Sequence, residues 1–533
     1  MQRDPLRLAQ GLRRRLAAAI MALVASAAGL PAAAAELRIA LEIGATSIDP
    51  HFHNFNPNKS LHAHIYESLI TRDADQRLVP GLAIAWTAVE PTIWEFKLRP
   101  GVQFSDGTPF TAEDVAFTIR RAANVQGSPS SFAFYLRPIS DVRIVDATTI
   151  RLVTATPFPL LPQFISVVPI VSKRHGESAT TDDYNRGRAA IGTGPFRFVS
   201  WISGQMVVLE PNDRYRGPRP SWDRVSFRTI EAPASRLAAL LAGDADLIEK
   251  VPPSDFARVR ENKDLALASS RSPLLVTLFP DHAERPPPFV RDPDGRPLDR
   301  NPFADLRVRQ AVSLAINRQA IVERVMDGAA SSTIQFMPEG FSGHLRDAAV
   351  PAADSESARR LLAAAGYPQG FQLTIHCMNN RLINDERVCQ ALGQMLTRAG
   401  MRTAVEVMPN ATMITRAQRN EFSLWLHGMA TETAEPTALL IPSVATTDRE
   451  RGRGAINRGR YANPDFDRLL DQALVTLDDT VRTEIMDRAQ RLLIADLAVI
   501  PLYHQANSWA MRKTIDFTAR ADESTLAMDA RRR

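Results

Sequence analysis

The sequence predicts an α/β protein built in two or more lobes, and three observations carry that expectation. The chain has 533 residues, more than one hydrophobic core usually serves. Short alternating apolar runs recur between segments of helical period along most of its length, the pattern of successive βα units. Composition is ordinary for a globular protein, with 45% hydrophobic and 23% charged residues, so neither wholesale disorder nor a membrane-embedded body is expected.

The formal charge of +5 is concentrated at one end. Residues 1–35 hold Arg3, Arg7, Arg13, Arg14, Arg15 and one acid, Asp4; subtracting them from 64 basic and 59 acidic residues leaves 59 and 58, a balance of +1. The remaining chain therefore has no basic footprint for a nucleic-acid partner. The same 35 residues read as an export signal: an arginine-rich start, an apolar run over 16–30, and the small residues Pro31 to Ala35 before Glu36. Cleavage is expected after Ala35, with the mature protein in the periplasm. As a membrane anchor the run is short and alanine-rich, and no other segment reaches about 18 apolar residues.

The first strand of the mature chain is expected at 36–41, where ELRIAL alternates. A polar, aromatic loop over 48–55 follows, then a helix over 62–70. His51, His53, His62 and His64, four of the ten histidines, fall here. His-x-His pairs can converge on a metal ion. No acid or cysteine cluster accompanies them, however, and His62 and His64 cannot share a helix face. Loop-packing or ligand-wall roles are expected, and no metal site. A strand over 93–98 leads into LRPGVQFSDGTPFTAEDV. Its Pro100-Gly101 and Asp106-Gly107 are turn dipeptides, and Thr111 with Asp114 three residues on predicts a helix from Ala112.

Beyond it come a hairpin around Asp146-Ala147 and a proline-punctuated run over 157–169, expected to be irregular and superficial. The turn IGTGPF then opens a strand. It lacks the third glycine and the Lys-Ser/Thr ending of phosphate loops, so it is not read as a nucleotide site. A further strand is expected at 205–210 and a helix over 235–242, ended by Gly243. Residues 284–303, rich in Pro, Asp and Arg, are expected to form an exposed insertion near a lobe crossing. A helix starts after Asp305 with Val308, Val312, Ala315 and Ile316 as its stripe. Another covers 355–365, and the alternation continues through a strand at 371–376, a helix at 388–399 and a strand at 402–407. Asn463, Pro464 and Asp465 have the chemistry of a helix start, and a second helix over 481–495 precedes Ile500-Pro501-Leu502-Tyr503. The two cysteines, Cys377 and Cys389, should lie on a strand and the next helix. In an oxidising compartment a bridge is expected, contributing about 3 kcal/mol, with two buried thiols as the alternative. They lack partner ligands for zinc.

Several of these segments, in order, carry a family resemblance. VPGLA with its following tryptophan and the DGTPFTAEDV turn, IGTGPF with the later NDRYRG, VRQAVSLAINR with ARRLLAAAGYP, and YANPDFD with IPLY closely resemble hallmark segments of the peptide/nickel-type (family 5) extracellular solute-binding proteins of ABC importers. These include dipeptide- and oligopeptide-binding proteins. The resemblance implies a two-lobed periplasmic-binding-protein fold of type II, large peptide-binding class, with an extra subdomain in the N-terminal lobe and two chain crossings around an enclosed ligand. It divides the chain into a signal peptide (1–35), an N-terminal lobe (36–276, with a subdomain over about 60–185), a C-terminal ligand-binding lobe (277–503) and a return to the first lobe (504–533). The implied partners are a small-molecule or peptide ligand and an inner-membrane permease with its ATPase. A monomer without cofactors is expected.

In the peptide-binding relatives, an acid just upstream of an acid-proline dipeptide pairs with the ligand's ammonium. The matching residue here is Glu432, three before Glu435-Pro436. A buried carboxylate facing an ammonium is physically sound, because either charge would otherwise be desolvated alone. The family's usual residue is aspartate beside an aromatic; the longer glutamate, with Met429 and Thr431 nearby, leaves ligand length and chemistry open, and an exposed loop acid is the alternative. Gly428, Met429 and Ala430 would line the pocket as backbone surface. His53 and Phe55 are candidates for the opposite wall, and Asn379, Asn380 and Arg381 for polar contacts or a carboxylate partner. Trp425 is expected in the core. No G-x-S-x-G, H-E-x-x-H or activated cysteine is present, so an enzyme is not expected. The expected function is capture of a di- or oligopeptide or related amino compound for an importer. The alternatives are a nickel or other metal chelate, an opine or a sugar conjugate, and, from another class, a histidine-based metallohydrolase.

Overall fold

The computed structural model of the chain describes residues 35–379, 381–431 and 433–533; the expected export signal, Asn380 and Glu432 lie outside the described residues. Its spine is a pair of long antiparallel strands, Leu265–Pro280 and Ile500–Arg512. Leu265 to Arg271 run against Arg512 to Ala506, and Leu275 to Leu278 against His504 to Ile500, with a register slip between Arg271 and Leu275. Such a bulge bends a paired ribbon. Here it marks the passage from one lobe to the other.

On one side of the slip the ribbon is flanked in hydrogen-bonded order by Leu247–Glu249, Glu36–Leu41, Arg224–Thr229, Met206–Pro211 and Phe196–Ile202. On the other side come Leu424–Met429 and Phe371–Met378, with Val290–Arg291 and Met401–Met408 paired to the latter. A separate four-stranded sheet orders Ala83–Glu90, Ile93–Leu98, Thr149–Thr154 and Ile139–Asp146. Distinct cores follow the same division. Val308, Val312, Leu392, Leu426 and Leu470 belong to one, Leu37, Phe196, Val225 and Trp509 to a second, and Phe96, Val115, Ile150 and Phe164 to a third beneath the small sheet. Separate cores are what a chain of this length requires.

Local chemistry sets the helix ends. At the start of helix Ala112–Ala122, one Asp114 carboxylate oxygen accepts the Thr111 N–H at 2.9 Å, and the other accepts the Lys173 N–H at 2.8 Å. The cap thereby also ties down a neighbouring segment. Asn463 accepts from the N–H groups of Asp465 and Phe466 at the head of Pro464–Val475. Gly243, at φ +87°, closes Pro233–Ala242 in the left-handed region that glycine occupies without penalty.

Three expectations change. The helix placed at 62–70 is Asn56–Ile65, because Pro57 suits the first turn and Tyr66 is already extended. The run 157–169 is not superficial: Leu161–Ile165 is helical, and Leu160, Phe164 and Val168 are buried in the third core. Residues 284–303 do not sit at the crossing. Val290 pairs with Leu373 at the start of a C-terminal-lobe strand, and Phe303 is buried. Among the described residues no helix is long and apolar enough to cross a membrane.

Candidate ligand site

Strand Leu424–Met429 pairs with the crossing strand so that His427 lies opposite Thr277 and Met429 opposite Leu275. Its C-terminal end therefore arrives at the register slip, where the lobes join. A side-chain carbon on Gly428 would lie 3.1 Å from both Leu274 and Leu382, so glycine is what lets those two side chains close over the strand end. The Met429 side chain is buried in the C-terminal-lobe core and Ala430 is exposed. In the following loop the Thr431 and Thr433 hydroxyls are 3.1 Å apart, and the Thr431 hydroxyl donates to the Glu435 carbonyl at 3.3 Å. Ala434 adopts φ +52°, a strained conformation for a residue with a Cβ.

Glu435 is committed to the protein. Its buried carboxylate accepts from the Thr437 hydroxyl, from the Ala438 N–H at 3.3 Å and from Arg482 at 3.5 Å, capping helix Pro436–Ser443. Burial pushes this carboxyl above its usual range. Across the junction Arg72, of strand Ile70–Arg72, is pulled down to about 10 by burial, against the favourable charges of Asp522, Tyr135 and Glu435. The lobes also touch through Leu474, which packs against both the C-terminal-lobe core and the small-sheet core.

Cys377, in strand Phe371–Met378, and Cys389, in helix Asp385–Arg398, form a disulfide with Cα atoms 6.4 Å apart. The intervening loop is held further by Asp385, whose carboxylate accepts the N–H groups of Arg381 and Leu382 at 3.1 Å each. The Ile383 N–H donates to Gln505 of the second crossing strand at 3.0 Å. Asn379 and Arg381 are left exposed, while Leu382 is buried against Gly428. The structure thus brings the Arg381 loop and the Gly428 strand end together.

His53 and Phe55 belong to a different neighbourhood. They stack on each other with centroids 5.0 Å apart, His53 Nδ1 lies 2.9 Å from the Thr46 hydroxyl, and the His53 backbone bridges to Ser130. The other three histidines of this region are buried and bonded to the fold. His51 meets the Pro169 carbonyl at 2.7 Å and Arg121 at 2.9 Å, and His62 meets the Ser47 carbonyl at 2.9 Å. His64 donates from Nδ1 to the Ser60 carbonyl and accepts at Nε2 from the Ala527 N–H. Burial lowers them to about 3, 4 and 4, so all three are neutral. Among the described residues no three His, Cys, Asp or Glu side chains form a group able to hold a metal.

Sequence reasoning passed over Arg458, a half-buried residue whose Nε has no partner, as is also true of Arg285 and Arg482. Arg458 lies in an arginine-rich stretch that also holds Arg449, Arg451, Arg453 and Arg460. Nothing in the local wording separates it from its solvated neighbours.

Two α/β lobes joined by a pair of strands, with a strand-end loop delivered to the junction, are the architecture of the two-lobed periplasmic-binding-protein fold. The fold superposes on HbpA2 from Haemophilus parasuis with a TM-score of 0.80 at 21% identity, covering 93% of this chain and 100% of that one. Residues 77–450 match the model of bacterial extracellular solute-binding proteins, family 5, and the chain belongs to that family. It is therefore a periplasmic binding component of an ABC importer, working with a membrane permease and ATPase, and not an enzyme. Similar curated proteins include the glutathione-binding protein GsiB of Pectobacterium atrosepticum, 26% identical over 477 residues and 87% of each chain. The probable D,D-dipeptide-binding periplasmic protein DdpA of Escherichia coli is 27% identical over 445 residues, covering 81% of this chain and 80% of its own.

Proposed function

We propose that the protein captures a di- or oligopeptide, or a related amino compound, between its lobes, and that Glu432 receives the ligand's ammonium. The observation that carries this reading is the commitment of Glu435. With that carboxylate buried and capping a helix, the acid available at the family's ammonium position is Glu432. Its neighbours Thr431 and Thr433 are locked to each other and to Glu435, which preorganises the loop. The similarity to a glutathione-binding and a D,D-dipeptide-binding protein points to the same ligand class. Gly428 and Ala430, shortly before the acid in sequence, would supply backbone surface to the ligand, with Met429 anchored in the core. Asn379 and Arg381 face the same junction. His53 and Phe55 complete the opposite wall when the lobes close over the ligand.

The lobes divide near 276/277 and 503/504, beside the register slip, and the slip supplies the hinge. The mature chain begins after Ala35 and acts as a monomer. Isothermal calorimetry with dipeptides, tripeptides, glutathione and their N-acetylated forms tests the reading, with opines, sugar conjugates and nickel chelates in the same panel. A peptide that binds with its free ammonium and not when acetylated, and that is lost in Glu432→Gln, is the expected result. Binding indifferent to acetylation and to Glu432→Gln removes the ammonium assignment. A response to nickel chelates alone, abolished by His53→Ala, replaces the peptide with a metal complex.

A further inference from the structure

The core beneath the small sheet is built from residues 69–170, all of the N-terminal lobe. Among the described residues packed against it, Leu474 is the one supplied by the C-terminal lobe. Leu474 sits in the last turn of helix Pro464–Val475 and also packs against its own lobe's core. The side chain is half-buried, so its burial is shared between the two lobes.

A second contact crosses at Gly452. A side-chain carbon there would lie 3.0 Å from Arg137 Nη2. Gly452 adopts φ +69°, and the missing side chain lets the guanidinium lie close to the turn. Arg137 follows the short helix Ala133–Leu136, whose Tyr135 and Leu136 are buried in the small-sheet core. Phe134 and Tyr135 also set their rings 5.4 and 5.5 Å from that of Phe164. Both contacts therefore fall on the same body of the N-terminal lobe.

On the C-terminal lobe the two contacts also belong to one unit. Asp448 and Arg453 exchange backbone hydrogen bonds of 3.1 and 2.8 Å, which close the turn that carries Gly452. Arg453 pairs with Asp471, and Arg451 reaches the same carboxylate at 3.5 Å. Asp471 and Leu474 are three residues apart on helix Pro464–Val475 and share a face. The Gly454 N–H donates to the Ile441 carbonyl at 2.9 Å, tying the turn to helix Pro436–Ser443. Turn and leucine thus move together.

We propose that Leu474, with the Arg137–Gly452 approach, is a latch that holds the lobes closed without any ligand atom, so that the empty protein populates a closed form. Opening about the register slip would return the shared face of Leu474 to water, which is unfavourable for an apolar side chain. One half-buried leucine is a modest contact, and such a latch shifts a population rather than locking it. Ligand entry then requires the latch to release, whatever the ligand is. The inference concerns closure alone and does not depend on the peptide reading.

The test needs no ligand. Small-angle X-ray scattering is recorded on the mature chain after unfolding, dialysis and refolding, which strip any ligand carried through purification. Wild type is expected to scatter as the structure with its lobes in contact. Leu474→Ala and Leu474→Ser are expected to raise the radius of gyration, the serine variant more. Val475→Ser, at an adjacent and half-exposed position, should leave it unchanged. A wild type already as open as Leu474→Ser overturns the latch, as does a radius of gyration that neither Leu474 variant moves. A fall in their unfolding midpoint without that rise shows that Leu474 serves only its own core, and also overturns it. Crosslinking gives a second measurement. Arg137 and Arg451 are both exposed, and Arg137→Cys with Arg451→Cys should be joined by a short bismaleimide in the empty protein. Adding Leu474→Ala should lower that yield severalfold; an unchanged yield, or no crosslink in the empty protein, counts against the latch.

Discussion

Two stretches dense in ionisable side chains lie on opposite lobes, and they use those side chains in opposite ways. In the N-terminal lobe, His51, His62 and His64 look like metal or ligand groups, yet each is buried against backbone carbonyls or an arginine. In the C-terminal lobe the arginines between 449 and 460 look like a solvated surface. Arg451 and Arg453 pair with Asp471, and Arg460 with Asp281, whereas Arg458 is half-buried with its Nε lacking an acceptor. Density of reactive residue types therefore does not mark a site, and neither does one unfilled donor or acceptor, since His62 Nδ1 is without a partner too.

The largest effect that tests this contrast comes from the histidine side. Asp49 is fully buried, bonded to Arg121 through two N–H groups at 2.9 and 2.6 Å and to the Thr181 hydroxyl at 2.8 Å. Burial alone would raise its carboxyl; Arg121 outweighs that and holds it below the usual range. Asp49→Ala strands Arg121 and is expected to destabilise by about 3–5 kcal/mol in urea unfolding. A loss under 1 kcal/mol would mean that the network is not architectural.

Next, replacing Cys377 and Cys389 together by alanine is expected to lower stability by about 3 kcal/mol through loop-closure entropy. If the bridge positions the Arg381 loop, the double variant should also weaken peptide binding beyond what a stability-matched core variant shows.

The histidines supply a pH test. His51, His62 and His64 are lowered from 6.5 to about 3, 4 and 4, so the unfolded chain takes up protons that the folded one refuses. Their contribution is complete above pH 6.5 and is lost as pH falls from there towards 4. Urea midpoints should decline over that window, and His62→Gln should make the decline shallower; an unchanged slope would show that His62 is not buried neutral.

The smallest effect belongs to the solvated arginines. Arg451→Ala, which removes exposed pairs to Asp448 and Asp471, is expected to change stability by about 0.5 kcal/mol or less. A shift above about 1 kcal/mol in urea unfolding would show that these exposed pairs are structural.

Much of the fold was legible because its signals are local. Thr111 with Asp114, Asn463 with Pro464, and Gly243 act within one helical turn, so residue type and spacing suffice to place those helix ends. Hydrophobic period likewise placed the strands Glu36–Leu41 and Ile93–Leu98. Family wording extended this to the two-lobed architecture. It did not reach what distant segments impose on one another. Pairing of Leu265–Pro280 with Ile500–Arg512 joins parts of the chain far apart in sequence, and that pairing sets where the lobes meet. Arg458 and Arg460 are two residues apart and identical in kind. Asp281, arriving at the end of a crossing strand, neutralises one and not the other. Local propensity acts over a few residues, whereas burial and the supply of partners depend on the whole packed chain. The sequence by itself determined the elements and the class; the tertiary structure decided which of its charges were left without a partner.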